Sequence, residues 1–236
     1  MPVLHAPAKL TTSLRITGVR SDGYHLIDAE MVTLDFGDRL DVTPDGDGVE
    51  VVWEDRRVVA GADDLVVRAL GFAGLRAGVV LHKRVPAGAG LGGGSADAAA
   101  ILRWAGVRDA ASTVVLGADV PFCVLGGRAR VRGVGEQLEP LPFSERVVTL
   151  LTPPLHCSTP EVYRRWDEMG APVGENLNDL EPAALSLVPE LARWRDELGA
   201  ATGEVPMLAG SGSTWWVEGE HPGPGRVVAR TVPSAF

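Results

Sequence analysis

Only two cysteines, Cys123 and Cys157, stand in the 236 residues. They are too few and too isolated for a disulfide framework or a paired-cysteine metal site, and a reducing compartment is the natural reading. Positive charge is also scarce. Lys and Arg number 22 against 31 Asp and Glu, a net charge of −9, which argues against a nucleic-acid-binding or anionic-membrane surface and leaves any anionic ligand to be held locally. No run approaches the ~20 apolar residues that span a bilayer. The opening MPVLHAPAKL lacks a basic segment followed by an apolar core, so a soluble cytoplasmic protein is expected. Long linkers, internal repeats and low-complexity blocks are missing too. His5, His82, His156 and His221 have no metal-ligand spacing, and no protein metal site is expected.

What is present is an ordinary globular composition. Hydrophobic residues make up 45% and charged residues 22% of the chain, enough for a sizeable core. The length suits two lobes with a cleft between them, drawn at 1–140 and 141–236. In the first third, segments 10–17, 29–34, 39–42 and 49–53 favour β structure and are split by Gly23, Gly37 and the turn-forming Pro44-Asp45-Gly46-Asp47-Gly48, an antiparallel pattern. Asp63 and Asp64 then precede Leu65, Val66, Ala69, Leu70 and Ala73, an apolar stripe at helical spacing that Gly74 closes. A strand over 79–85, a glycine loop and a helix over 95–104 follow. Further strands are expected at 128–133 and 147–151. Ser158-Thr159-Pro160-Glu161 opens a helix with a capping-box carboxylate and an early proline. A helix pair over 180–198 breaks near Pro189, and strands around Met207 and over 214–217 flank a second glycine turn. Without regular βαβ alternation, this mixture is α+β.

The strongest chemical signal is Pro86-Ala87-Gly88-Ala89-Gly90-Leu91-Gly92-Gly93-Gly94-Ser95-Ala96-Asp97. Five glycines in seven residues, followed at once by a helix, let successive N–H groups point into one concavity at the positive end of a helix dipole, a cradle for phosphate. A tight turn without a ligand is the plainer alternative. Gly88, Gly90 and Gly93 formally match a dinucleotide fingerprint, but that fingerprint follows a buried apolar strand, and here the strand ends His82-Lys83-Arg84. No Walker lysine is present either, because the loop continues Gly94-Ser95-Ala96.

Six motifs occur together in order: Ala6-Pro7-Ala8-Lys9-Leu10, Asp22-Gly23-Tyr24-His25, the glycine loop, Gly117-Ala118-Asp119-Val120-Pro121, Asn178-Asp179-Leu180-Glu181-Pro182 and Gly210-Ser211-Gly212-Ser213-Thr214. They span about nine-tenths of the chain and resemble those of 4-diphosphocytidyl-2-C-methyl-D-erythritol kinases, a family of the GHMP kinase superfamily. The resemblance implies a two-lobed α+β GHMP kinase fold with ATP and substrate in the interlobe cleft. The implied reaction is phosphorylation of a C2 hydroxyl in non-mevalonate isoprenoid synthesis, with ATP and Mg²⁺ as cofactors, by a monomer or homodimer.

The resemblance makes Asp119 the base and Lys9 its cationic neighbour. It assigns Pro86, Gly88, Gly90, Leu91, Gly92, Gly93, Gly94, Ser95, Ala96 and Asp64 to the nucleotide. Tyr24, His25, Thr11, Gly210, Ser211 and Gly212 go to the cytidylyl-linked polyol, with Tyr24 and His25 at the cytosine. Ser95 is read as a helix cap, a phosphate ligand or both. Three departures stand out: Thr11 and Asp64 occupy positions where the family generally has Asn, and the segment 106–116 is short where relatives carry an additional helix. Two alternatives stay open, namely a GHMP kinase for another alcohol and a degenerate nucleotide-binding relative.

Overall fold

The computed structural model describes residues 1–234. These form a seven-stranded mixed sheet, a four-stranded antiparallel sheet and helices packed around them. The large sheet contains β1 (Val3–Val19), β2 (His25–Pro44), β3 (Val49–Trp53), β4 (Arg56–Val59), β5 (Ala77–His82), β6 (Arg128–Gly133) and β7 (Gln137–Pro140), in the order β4-β3-β5-β2-β6-β7 with β1 paired to β2. The small sheet runs β11-β8-β10-β9, from β8 (Val147–Leu151), β9 (Met207–Leu208), β10 (Trp215–Glu218) and β11 (Arg226–Arg230). The helices are α1 (Leu65–Phe72), α2 (Gly93–Trp104), α3 (Val120–Leu125), α4 (Thr159–Glu168), α5 (Glu181–Leu187) and α6 (Leu191–Thr202), with one 3-10 turn at Ala111–Val115. This is the expected α+β class, and the short segment 106–116 holds only that 3-10 turn.

Several local readings change. The two strands expected on either side of Gly37 are one 20-residue strand, β2. Gly37 marks no turn: it sits opposite Pro7, next to a register shift, where an added Cβ would lie 2.2 Å from the Ala6 carbonyl oxygen. Pairing between distant residues thus overrides the local preference of glycine for turns. The sheet is also not wholly antiparallel, because β3 runs parallel to β5. Ser158 occupies the N-cap of α4, yet its side chain makes no capping bond; the neighbouring Thr159 hydroxyl pairs instead with the Ser211 hydroxyl at 2.8 Å. Asp64 does cap α1, accepting from the Val66 and Val67 amides.

Two cores hold the layers together. Apolar side chains of α1, α2 and α3 pack on β2, β5 and β6, and this cluster continues through Trp166, Leu180, Leu198 and Trp215. On the other side, Leu10, Val32, Leu34, Leu91, Val148, Leu150 and Trp216 join β1 and β2 to the small sheet. Ala98 and Ala99 of α2 are fully buried, and their small side chains let the helix lie close to β1.

A buried ionic cluster fixes the N-terminal half of α2 to the large sheet. Lys83, just past β5, places its ammonium 2.5 Å from Asp38 Oδ2 on β2 and 2.6 Å from Asp97 Oδ2 on α2. Asp38 Oδ1 also accepts from the Arg84 and Val85 amides. Asp97 Oδ1 is buried without a hydrogen-bond partner. Burial raises the Asp97 carboxyl to about 7, against the opposing pull of Lys83.

Two expectations follow. Gly37→Ala pushes a methyl group into the backbone of β1 and costs about 1–3 kcal/mol, measurable as a lower denaturation midpoint at constant m-value; an unchanged midpoint counts against the close approach. For Asp97, the folded state holds the proton to about pH 7 while the unfolded chain releases it near the ordinary aspartate value of 3.8. The raised group therefore favours folding at low pH and loses that contribution as pH rises, by at most roughly 1.4 kcal/mol per pH unit. Melting curves of wild type and Asp97→Asn between pH 5 and 8 should show the variant gaining relative stability as pH increases. A constant difference would mean that Asp97 does not titrate in this window.

Candidate active site

The glycine loop, the start of β2, α4 and the second glycine turn enclose a cleft of about 1150 Å³. At its floor Lys9 is 4% exposed on β1. Residues two apart on a strand share a face, and the Lys9 ammonium lies 3.0 Å from the hydroxyl of buried Thr11. Its ionic partner is Asp119, whose Oδ2 is 3.2 Å away. Asp119 sits at the N-cap of α3 without capping it, so the carboxylate faces the ammonium and the cleft.

The glycine loop is shaped by what lies against it. Gly92 has φ +64° and is the N-cap of α2; a Cβ there would meet Lys9 Cγ at 2.7 Å. The Lys9 amide donates to the Leu91 carbonyl at 3.0 Å, so lysine and loop are fastened by backbone as well as by packing. Gly90 has φ +77° and a Cβ would come within 2.0 Å of the Ala209 carbonyl oxygen. The two glycine turns are then joined by the Ser213 amide donating to the Gly88 carbonyl and the Thr214 amide to the Ala89 carbonyl, both at 3.1 Å. Because α2 begins at Gly93, the first intrahelical bond comes from the Ala96 amide to the Gly92 carbonyl. The amides of Gly93, Gly94 and Ser95 therefore have no partner inside the helix and open toward the cleft, the geometry that suits phosphate oxygens. Ser95 is not the cap: Gly92 is.

Tyr24 and His25 lie at the other end of the cleft. The Asp22-Gly23 turn is braced by Asp22 carboxylate bonds to Arg20, which hold the Asp22 carboxyl at about 2. The Arg20 guanidinium lies 5.4 Å over the exposed Tyr24 ring. His25 starts β2 and turns its ring onto α4, 4.7 Å from Tyr163 and edge-on to Trp166 at 5.7 Å, with Nε2 2.9 Å from Asp167 Oδ1. Burial, with the Asp119 charge in addition, pushes the Tyr163 phenol up.

The structure brings Lys9, Thr11, Tyr24, His25, Asp64, Pro86, Gly88, Gly90, Gly92, Gly93, Gly94, Ser95, Asp119, Gly210 and Ser211 to one cleft. Leu91, Ala96 and Gly212 are not on its surface. Leu91 and Ala96 are buried in the core, and the Gly212 amide closes its own turn onto the Ala209 carbonyl.

Residues not anticipated as part of the site include Lys83, Asp97, Tyr163, Asp167 and Asn178. Asn178 donates to the carbonyls of Leu208 and Gly210 at 2.9 and 2.7 Å and accepts from the Leu180 amide. It pins the second glycine turn beside Lys9, which gives the Asn178-Asp179 motif a physical purpose. Among the described residues, no three His, Cys, Asp or Glu side chains gather as a metal site, and no helix is long and apolar enough to cross a membrane.

Comparison with known proteins agrees with this geometry. Residues 57–127 match the family model described as the GHMP kinases N terminal domain. The chain is 38% identical to a 4-diphosphocytidyl-2-C-methyl-D-erythritol kinase of Paracoccus denitrificans (strain Pd 1222), over 89% of this chain and 84% of the relative. It is 35% identical to the protein of the same name from Cereibacter sphaeroides (strain ATCC 17025 / ATH 2.4.3), covering 98% and 94%. A crystal structure of 4-(cytidine 5'-diphospho)-2C-methyl-D-erythritol kinase superposes with a TM-score of 0.78 at 31% identity, covering 98% of this chain and 99% of that one. With the paired Lys9 and Asp119, the glycine cradle and relatives this similar over most of their length, the chain belongs to the 4-diphosphocytidyl-2-C-methyl-D-erythritol kinase family of the GHMP kinases.

Proposed function

We propose that the chain transfers the γ-phosphoryl group of ATP to the C2 hydroxyl of 4-diphosphocytidyl-2-C-methyl-D-erythritol, in the non-mevalonate route to isoprenoid precursors. The observation that carries this reading is the 3.2 Å pair of Lys9 and Asp119, set beside the open N-terminus of α2. Asp119 takes the hydroxyl proton as the oxygen attacks the γ-phosphorus, and the bond to the bridging oxygen breaks to release ADP. Lys9 stabilises negative charge developing on the attacking oxygen, aided by Thr11, which fixes the ammonium. ATP supplies the phosphoryl group, and Mg²⁺ bound with it would neutralise charge on its phosphates.

The glycine cradle fits polyphosphate because a side chain at Gly90 or Gly92 would collide with its surroundings, and because the first amides of α2 are unpaired within the helix. Pro86, Gly88, Gly90, Gly92, Gly93, Gly94, Ser95 and Asp64 line the nucleotide part, and Leu91 and Ala96 support it from the core. The described residues offer Mg²⁺ no cage of carboxylate or imidazole ligands, so the ion would be held by the nucleotide phosphates at the cradle. Tyr24, His25, Thr11, Gly210 and Ser211 contact the cytidylyl-linked polyol, and Gly212 closes the turn that carries Gly210 and Ser211. The lobes 1–140 and 141–236 form the two walls, and the enzyme works in the cytoplasm as a monomer or homodimer.

ADP release with ATP, Mg²⁺ and a panel of alcohols tests this directly. Turnover confined to the cytidylyl compound supports it; equal turnover of a base-free alcohol points to a different GHMP kinase, and none at all to a degenerate relative. Asp119→Asn should lower kcat about 10²–10⁴-fold with ATP affinity nearly unchanged, and near-normal kinetics would remove Asp119 from proton transfer. Lys9→Met should lower kcat more than it raises KM, as read by steady-state kinetics alongside a thermal melt. A pure KM effect would make Lys9 a binding residue.

A further inference from the structure

Asp167 is used by no step above, yet it lines the cleft and its carboxylate bonds a second lining residue, His25. It stands near the end of α4, about half exposed, with Oδ1 2.9 Å from His25 Nε2. The basic residues of the same helix pair elsewhere: Arg164 lies beside Glu161 and Glu168, and Arg165 bonds Glu168 and the Ser186 hydroxyl. Trp166, against which the His25 ring packs, is fixed by its indole N–H donating to the Pro172 carbonyl at 2.8 Å. The imidazole is therefore held on one face by Tyr163, at its edge by Trp166 and at Nε2 by Asp167.

An ionised carboxylate only accepts hydrogen bonds, so the neutral ring that faces Asp167 carries its proton on Nε2 and leaves Nδ1 as a bare lone pair. No hydrogen bond joins Nδ1 to the described residues, and His25 lines the cleft. Cytosine presents an amino donor at the position where uracil presents a carbonyl acceptor. A bare Nδ1 attracts the first and repels the second.

We propose that Asp167 is a positioning residue for base specificity: by accepting from His25 Nε2–H it holds Nδ1 as the acceptor that selects an amino-bearing pyrimidine over a carbonyl-bearing one. This rests on the reading that His25 faces the cytosine of the substrate. Without Asp167 the imidazole is free to exchange tautomers, and Nδ1–H then serves a carbonyl as well as Nδ1 serves an amine.

The test compares kcat/KM for the cytidylyl substrate and its uridylyl analogue in wild type, Asp167→Ala and Asp167→Asn, with 15N imidazole spectra of His25 recorded at the pH of the assay. Expected are an Nε2–H tautomer and cytidylyl preference in wild type, a loss of that preference by about tenfold in Asp167→Ala, and its recovery in Asp167→Asn, whose side-chain oxygen still accepts. Unchanged preference in Asp167→Ala overturns the proposal, as does a wild-type spectrum showing a proton on Nδ1. A wild type that ignores the base altogether instead defeats the functional reading, whatever the spectrum shows, and with it the role given to Asp167.

Discussion

Burying the Lys9 ammonium is the constraint around which the site is built. A charge taken out of water costs several kcal/mol unless partners replace the lost hydration, and Lys9 is 4% exposed. Asp119 and Thr11 supply the polar partners. The stem of the side chain lies across Gly92, where any Cβ would collide with it, and its tip approaches Gly210. Asn178 then holds Gly210 in place through the turn carbonyls. Satisfying one cation thus draws β1, the start of α2, the start of α3 and the second glycine turn to a point, which in the proposed function is where the alcohol and the phosphoryl group meet.

Thr11 and Asp64, where the resemblance implies Asn, acquire local reasons in the same frame. Thr11 is too short to reach far into the cleft, but its hydroxyl accepts from the Lys9 ammonium and shares its burial. Asp64 spends Oδ1 on the first amides of α1, a use in which a carboxylate serves at least as well as an amide and also complements the helix dipole. Both residues consolidate the walls of the cleft.

That the glycine loop, Lys9 and Asp119 share one cleft was readable in the sequence because each stands in a short motif with recognisable surroundings. The helices over α1, α2, α5 and α6 were readable for the related reason that periodicity and caps are local. What escaped was whatever depends on residues far apart in the chain. The cluster of Asp38, Lys83 and Asp97 joins three elements. His25 and Asp167 lie 142 positions apart. Gly37 looked like a strand break because glycine alone cannot reveal that another strand's carbonyl presses against it. Leu91, Ala96 and Gly212 sit inside glycine-rich motifs, yet Leu91 and the helical Ala96 face the core and Gly212 closes its own turn, none of which the motifs alone reveal.

The long β1 strand has a consequence for biosynthesis. Its Leu14 amide donates to the Leu177 carbonyl, its Leu14 carbonyl accepts from the Asp179 amide, and the Val232 amide reaches back to Thr33 on β2. Lys9 leaves the ribosome early, but the brace at Asn178 and the turn at Gly210 are made much later. β1 and β2 are both made before Asn178 and Gly210, so their pairing can precede the pocket around the lysine. Until then the polypeptide carries Lys9 and Asp119 without the glycine turn that stands beside them, so the cleft closes around the lysine only after Gly210 has been added.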